Sequence, residues 1–235
     1  MRKDIFYEPI RPDFLCPGYF FERRMRSRLL RGKAMKQKLN VNETALIGLL
    51  GGLGAVLMLF NFPLPFMPPF MSFDLAGLPE IIGGFTLGPI AAVFIILVKI
   101  LVKFVLMSSS SALTGELQNV ILSCAYVLPS VLIYNRHKTK KTAAWGMVAG
   151  TVICALTAVF TNLVIIIPFY VNLMGMSWEG VVQMCTKVNP LMKDPATMAI
   201  FGIIPFNLIK NGAVSLLAFL LYKKVSRPLK SFAKK

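Results

Sequence analysis

The chain has 235 residues, 56% hydrophobic and 15% charged, with a formal net charge of +16. A water-soluble reading would have to bury several long apolar runs at once, so an ordinary soluble domain is excluded. The basic excess suggests nucleic acid until the charges are placed, and their placement points to membrane orientation instead.

Residues 1–39 mix Arg, Pro and aromatic residues and lack the apolar core of a signal peptide. Their cluster Arg23, Arg24, Arg26, Arg28 and Arg31 would suit a membrane surface. The stretch is read as a dispensable, poorly ordered basic extension, since Met35-Lys-Gln-Lys-Leu opens like an ordinary short N-terminus. A transmembrane domain is expected over 40–224 and a basic cytoplasmic tail over 225–235. Apolar runs near the roughly 20 residues needed to cross a bilayer place spans at 44–60, 76–90, 91–107, 113–134, 143–170 and 198–222. The second is short and punctuated by Gly83, Gly84, Gly88 and Pro89. The predicted fold is an all-α membrane protein, a six-transmembrane-helix bundle with an outer lid loop after the first helix.

Eleven Lys/Arg precede Thr44, four lie in the 134–142 loop and six follow Tyr222, whereas the 171–197 loop holds only Lys187 and Lys193. Six spans put the three basic segments on one side, and the positive-inside rule makes that side cytoplasmic. The expected location is therefore the plasma membrane, multi-pass, with both termini cytoplasmic and basic segments facing anionic lipid.

In the first span, Gly48/Gly52 and Gly51/Ala55 have the small-xxx-small spacing that lets another helix approach closely in lipid. Such pairs serve packing within the chain equally well. The following loop, Asn61 to Asp74, sets Pro63, Pro65, Pro68 and Pro69 among Phe62, Leu64, Phe66, Met67, Phe70, Met71 and Phe73. Proline restricts the backbone and lowers its ordering entropy, and the apolar side chains can plug the bundle or close over a flat ring.

Lys99 and Lys103 share a helix face, so their like charges require relief. Lys103 is expected to snorkel, and Lys99 to pair with Glu80 or Glu116. Glu116 and Asn119 begin the fourth span on one face. In the fifth, Asn162 must be satisfied by a neighbouring helix or by a ligand. The last span carries Asn207 and Lys210, three residues apart and therefore facing one place. A lysine near the bilayer midplane costs roughly 2.5–3.5 kcal/mol on insertion scales, so it marks a site. Asn162, Asn207 and Lys210 would form a polar base beneath an apolar lid, the general layout of a small-molecule site.

Cys16, Cys124, Cys154 and Cys185 form no C-x-x-C, and His137 is the single histidine, in a basic loop. Neither a zinc site nor a disulfide follows.

The chain resembles the riboflavin-specific substrate-binding (S) component of energy-coupling-factor (ECF) vitamin transporters. The resemblance is carried by Phe62-Pro-Leu-Pro-Phe-Met-Pro-Pro-Phe with Asp74 and Pro79, by Gly83-Gly-Phe-Thr-Leu-Gly-Pro89, by Gly115-Glu-Leu-Gln-Asn119, and by Asn162 with Pro205-Phe-Asn-Leu-Ile-Lys210. Together these span Asn40 to Tyr222. The resemblance implies high-affinity riboflavin binding in an outward-open cavity, with Asn162, Asn207 and Lys210 hydrogen-bonded to the flavin and Leu64, Phe66 and Met67 covering its ring. It also implies docking on a transmembrane coupling subunit driven by two ATPase subunits, through Gly48/Gly52 or Gly51/Ala55. The loaded bundle then topples to release the vitamin inside. Riboflavin is substrate here, and no cofactor is expected.

Two departures stand out. Gly77 occupies a position that tends to be acidic in the family, and Ser108 to Ser111 replaces a more Thr/Gly-rich stretch. They leave room for a related flavin, such as the mononucleotide, or another vitamin. A self-sufficient transporter would need a coupling-ion site, and intramembrane acids are few. An intramembrane enzyme built on Lys210 and Glu116 would need paired catalytic carboxylates, a nucleophile with histidine, or a phosphate-cradling loop, and the spans contain none of these. The chain is therefore read as a transport subunit and not an enzyme.

Overall fold

Asn40 opens the first helix with a capping box: its side chain accepts from the backbone, and Glu43 reaches back to the Asn40 N–H at 3.1 Å. The structure, a computed structural model, describes residues 40–68, 71–106, 114–172, 175 and 177–233. The expectations for residues 1–39 and for Ser108 to Ser111 lie outside these.

Helix α1 (Val41–Leu59) leads into a two-residue antiparallel ladder, β1 (Phe62–Pro63) with β2 (Ser72–Phe73), which the all-α expectation did not include. Phe62 and Phe73 face each other across it, ring centroids 5.2 Å apart. Within this loop a turn closes from Met67 N–H to the Leu64 carbonyl at 3.2 Å. Pro65 takes its first central position and Phe66, at φ 66°, its second. Proline presets the first corner, while the left-handed second corner is strained for a phenylalanine.

Helix α2 (Gly77–Leu87) has 11 residues, about 16 Å of helix, roughly half a bilayer core. It is therefore too short to cross alone, and among the described residues five helices are long and apolar enough by themselves. Gly88, at φ +102°, turns the chain into α3 (Pro89–Leu106). Helices α4 (Thr114–His137) and α5 (Lys140–Thr161) follow, joined at Thr139, whose side chain caps α5.

Gly146, Gly150, Cys154 and Ala158 recur every fourth residue along α5 and are buried. A Cβ on Gly146 would stand 2.6 Å from the Ser130 carbonyl oxygen, and one on Gly150 2.3 Å from that of Tyr126. Helices α4 and α5 thus touch nearly backbone to backbone, the contact that small residues permit in lipid. In α1 the two small pairs separate: Gly51 packs on Val98 of α3 and Ala55 is fully buried, while Gly48 and Gly52 face open space.

Beyond Thr161 the chain widens into a π turn, Asn162–Ile166, then continues as α6 (Ile167–Asn172). The 171–197 segment, read from sequence as a loop, contains α7 (Trp178–Val188), capped by Ser177, and the one-turn α8 (Pro195–Met198), closed by an Asp194/Thr197 capping box. A second π turn, Ala199–Ile203, precedes α9 (Ile204–Ala233). Helix α9 passes 224/225 without a break, so residues 225–233 of the basic tail continue the helix. Ser226 hydrogen-bonds Thr86 at 2.9 Å, and the Phe232 carbonyl accepts from Asn42 at 3.2 Å.

The main core joins Ile81 and Phe85 of α2 to Tyr126, Val131 and Tyr134 of α4 and to Val214 and Tyr222 of α9. Large apolar side chains on the long helices point outward instead, among them Leu53, Phe94, Leu101, Leu156, Phe160 and Leu216. An apolar belt of that kind requires lipid around it.

Candidate functional site

A cavity of about 480 Å³ lies among α1, the β2 segment, α2, α3, α4, α5 and α9. Asn162, Asn207 and Lys210 all line it. Each carboxamide is oriented by its own helix: Asn162 Nδ2 donates to the Ala158 carbonyl at 2.7 Å, and Asn207 Nδ2 to that of Ile203 at 2.8 Å. Cys154 Sγ lies 3.9 Å from Asn207 Oδ1.

Both asparagines are tied to π turns. Asn162 begins the first, and Ile203, which accepts from Asn207, ends the second. A π turn inserts one extra residue and rotates the following face, a device common at functional sites. The signal for both was the proline two residues beyond each turn, Pro168 and Pro205. A proline ring clashes with the carbonyl four residues earlier, and widening the turn relieves that clash.

Lys210 Nζ donates to Asp74 Oδ2 at 2.7 Å, while Asp74 Oδ1 accepts the Ala76 N–H at 3.0 Å. Sequence reasoning missed this partner. Lys99 Nζ lies 2.5 Å from Glu80 Oε1 and also donates to Asn119 at 2.6 Å and Ser123 at 3.1 Å. Lys103 is expected from sequence to snorkel, but it pairs with Glu116, which relieves its repulsion from Lys99. Three lysines and three carboxylates line the cavity, and all six are matched. Among the described residues that line it, no cation is left over, and the cavity presents dipoles and compensated charge.

The residues expected to form a lid divide. Met71 and Ser72 line the cavity. Leu64 and Met67 pack one layer behind, against Met71, Phe73, Ala158, Ile203 and Phe206. Phe66 is 72% exposed and outside the lining.

This arrangement defines an α-helical membrane protein that holds a cavity lined by ions of zero net charge among the described residues. The chain belongs to the family described as ECF transporter, substrate-specific component, whose model matches residues 42–222. The family consists of substrate-binding components of transporters, not of enzymes. The chain is 26% identical over 198 residues to the riboflavin transporter RibU of Staphylococcus aureus, covering 83% of this chain and 97% of that one. It is 25% identical over 190 residues to the riboflavin transporter FmnP of Bacillus subtilis, covering 80% and 93%. A solved structure of the S component of a bacterial ECF transporter superposes with a TM-score of 0.62 at 26% identity, covering 80% of this chain and 97% of that one.

Proposed function

We propose that this chain captures riboflavin from outside the cell and delivers it inward by docking on an energy-coupling module. The observation that carries the reading is the convergence of Asn162, Asn207 and Lys210 on one cavity beside Met71 of the lid. A volume of about 480 Å³ falls in the 300–1,000 Å³ range of small-molecule sites. Two carboxamides and an ammonium suit the alternating acceptors and donor along the polar edge of a flavin ring. The compensated charges favour an uncharged ligand, and the names of the relatives point the same way.

The finer architecture follows. Helix α2 and the Asp74 segment together complete a sixth crossing, which returns both termini to the cytoplasmic side. The loop between α1 and α2 acts as the lid, with Leu64 and Met67 backing Met71. Docking uses the open Gly48/Gly52 face of α1 against a transmembrane coupling subunit that is driven by two ATPase subunits.

Riboflavin titrated into the purified full chain is expected to lose its fluorescence and to saturate at one molecule per chain. An unquenched signal, with a different small molecule found by mass spectrometry in the purified protein, would overturn the reading. Gly48→Leu is expected to spare binding and to lower uptake in cells that carry the coupling subunits; normal uptake would remove this face from docking.

A further inference from the structure

Among the described residues, two buried side-chain atoms have no hydrogen-bond partner, Glu80 Oε2 and Asn211 Nδ2. Glu80 is 0% exposed and Asn211 7%, and both residues line the cavity. An unsatisfied buried polar atom is rare in a folded protein and demands an explanation. Here one atom is an acceptor and the other a donor, on two residues that line the same cavity.

Their spacing follows from the packing of α2 on α9. Asp74 meets Lys210, and a Cβ on Gly77 would meet Val214 Cγ1 at 3.4 Å. Contacts in that order make the two helices run parallel. Asn211 therefore stands near the level of Asp74, and Glu80, one turn past Gly77, lies deeper by more than a helical pitch of about 5.4 Å. The unsatisfied donor and acceptor are set along the cavity, suited to an extended chain rather than a compact head group.

We infer that Glu80 and Asn211 hold the polyhydroxyl side chain of the ligand and set the preference for its unphosphorylated form. A hydroxyl both donates and accepts, so neighbouring hydroxyls can satisfy Asn211 Nδ2 with an oxygen and Glu80 Oε2 with an O–H. A phosphate monoester near neutral pH has acceptor oxygens and a charge of about −1.5 to −2. It could accept from Asn211, but it would meet the Glu80 carboxylate as a like charge. Lys99, Lys103 and Lys210 are each already neutralised by a carboxylate, so a phosphate would add uncompensated negative charge to a site whose ions sum to zero. This inference rests on the flavin reading above and adds to it the residues that recognise the ribityl chain.

The test titrates riboflavin, riboflavin 5′-phosphate and lumiflavin, which keeps the ring but lacks the polyol, into the purified full chain. Asn211→Ala removes a donor that interacts with the Cys154 sulfur but makes no hydrogen bond of ordinary geometry, so folding is expected to survive. It is expected to weaken riboflavin about tenfold, the value of one hydrogen bond of about 1.4 kcal/mol, while lumiflavin affinity holds within about twofold. Glu80→Gln, which removes the carboxylate and leaves the Lys99 ammonium unpaired, is expected to narrow the preference for riboflavin over its phosphate by about tenfold, read on protein that remains folded. Unchanged riboflavin affinity in Asn211→Ala, or equal loss for riboflavin and lumiflavin, would overturn the assignment while leaving the flavin reading intact. Failure of the unaltered chain to bind any of the three would overturn the flavin reading, and this inference with it.

Discussion

Lys210 of α9 and Asp74, the residue between the lid and α2, are joined at 2.7 Å across 136 positions of sequence. The bond ties the last span to the loop over the cavity and leaves the ammonium two further protons to donate. Lys210→Met would strand a buried carboxylate. Because the lysine side chain is 19% exposed, the cost is expected to fall short of the roughly 3–5 kcal/mol of a fully buried pair. Flavin affinity is expected to drop at least about tenfold, as for any charge-assisted bond of 1.5–3 kcal/mol. Adding Asp74→Asn should restore thermal stability without restoring affinity. Normal affinity in the double variant would take Lys210 out of the site.

The Lys99–Glu80 pair is more deeply placed, both side chains at 1% exposure. Lys99→Met alone is expected to destabilise by roughly 3–5 kcal/mol, because Glu80 keeps a charge in a low-dielectric interior. Combining it with Glu80→Gln should recover most of that loss in thermal unfolding in detergent. An additive pair of losses would show that the two residues do not depend on each other.

Gly150 and Gly48 make opposite demands. A Cβ at Gly150 would meet Ser130 Oγ at 2.2 Å and the Tyr126 carbonyl oxygen at 2.3 Å, whereas Gly48 has nothing within 4 Å. Gly150→Ala is expected to force α4 and α5 apart at a cost of about 1–3 kcal/mol. Gly48→Ala should be neutral or gain up to about 1 kcal/mol from the lower helix entropy cost of alanine. Unfolding midpoints of the two variants check both signs.

Within the lid, Met71 is 7% exposed and lines the cavity, while Phe66 points away from it. Met71→Ala is expected to lower flavin affinity about tenfold, since truncating a buried Met at a contact removes roughly 1–2 kcal/mol of apolar burial. Phe66→Ala should leave the dissociation constant within about threefold, in keeping with a surface substitution of about 0.5 kcal/mol. A larger loss for Phe66 would mean that its ring swings inward over the ligand.

Cys185, in α7 outside the spanning helices, is fully buried, and burial pushes its thiol up to about 11. At pH 8 only about one molecule in a thousand would carry the reactive thiolate there. Maleimide is expected to leave Cys185 unlabelled in the folded protein and to modify it once α7 is unfolded, as peptide mass spectrometry would show. Rapid labelling of the native chain would indicate that α7 detaches from Met192 and Met198.

The spans were legible because the membrane imposes its periodicity over some twenty residues, and Asn162, Asn207 and Lys210 stood out because polar groups in apolar runs are expensive. Asp74 did not stand out as Lys210's partner, since a pairing over that separation is a fact of tertiary packing. Asn211 was passed over as the neighbour of Lys210, although a helix turns about 100° per residue and its face had to be known first. The Gly146/Gly150 ridge carried the same spacing as the pairs in α1, yet only neighbouring backbone distinguishes an internal contact from an open face. Gly83, Gly84, Gly88 and Pro89 mark α2 as the short span in the sequence, and its 11 residues leave it below the length that crosses alone.

The matched ions of the cavity have a consequence for energetics. Moving one elementary charge through a membrane potential is worth about 2.3 kcal/mol per 100 mV. Lys99, Lys103 and Lys210 with Glu80, Glu116 and Asp74 sum to zero, and a neutral vitamin adds nothing. Were the proposed delivery to turn this chamber within the bilayer, its six ions and an uncharged cargo would carry no net charge through the field, so the membrane potential would do no work on them.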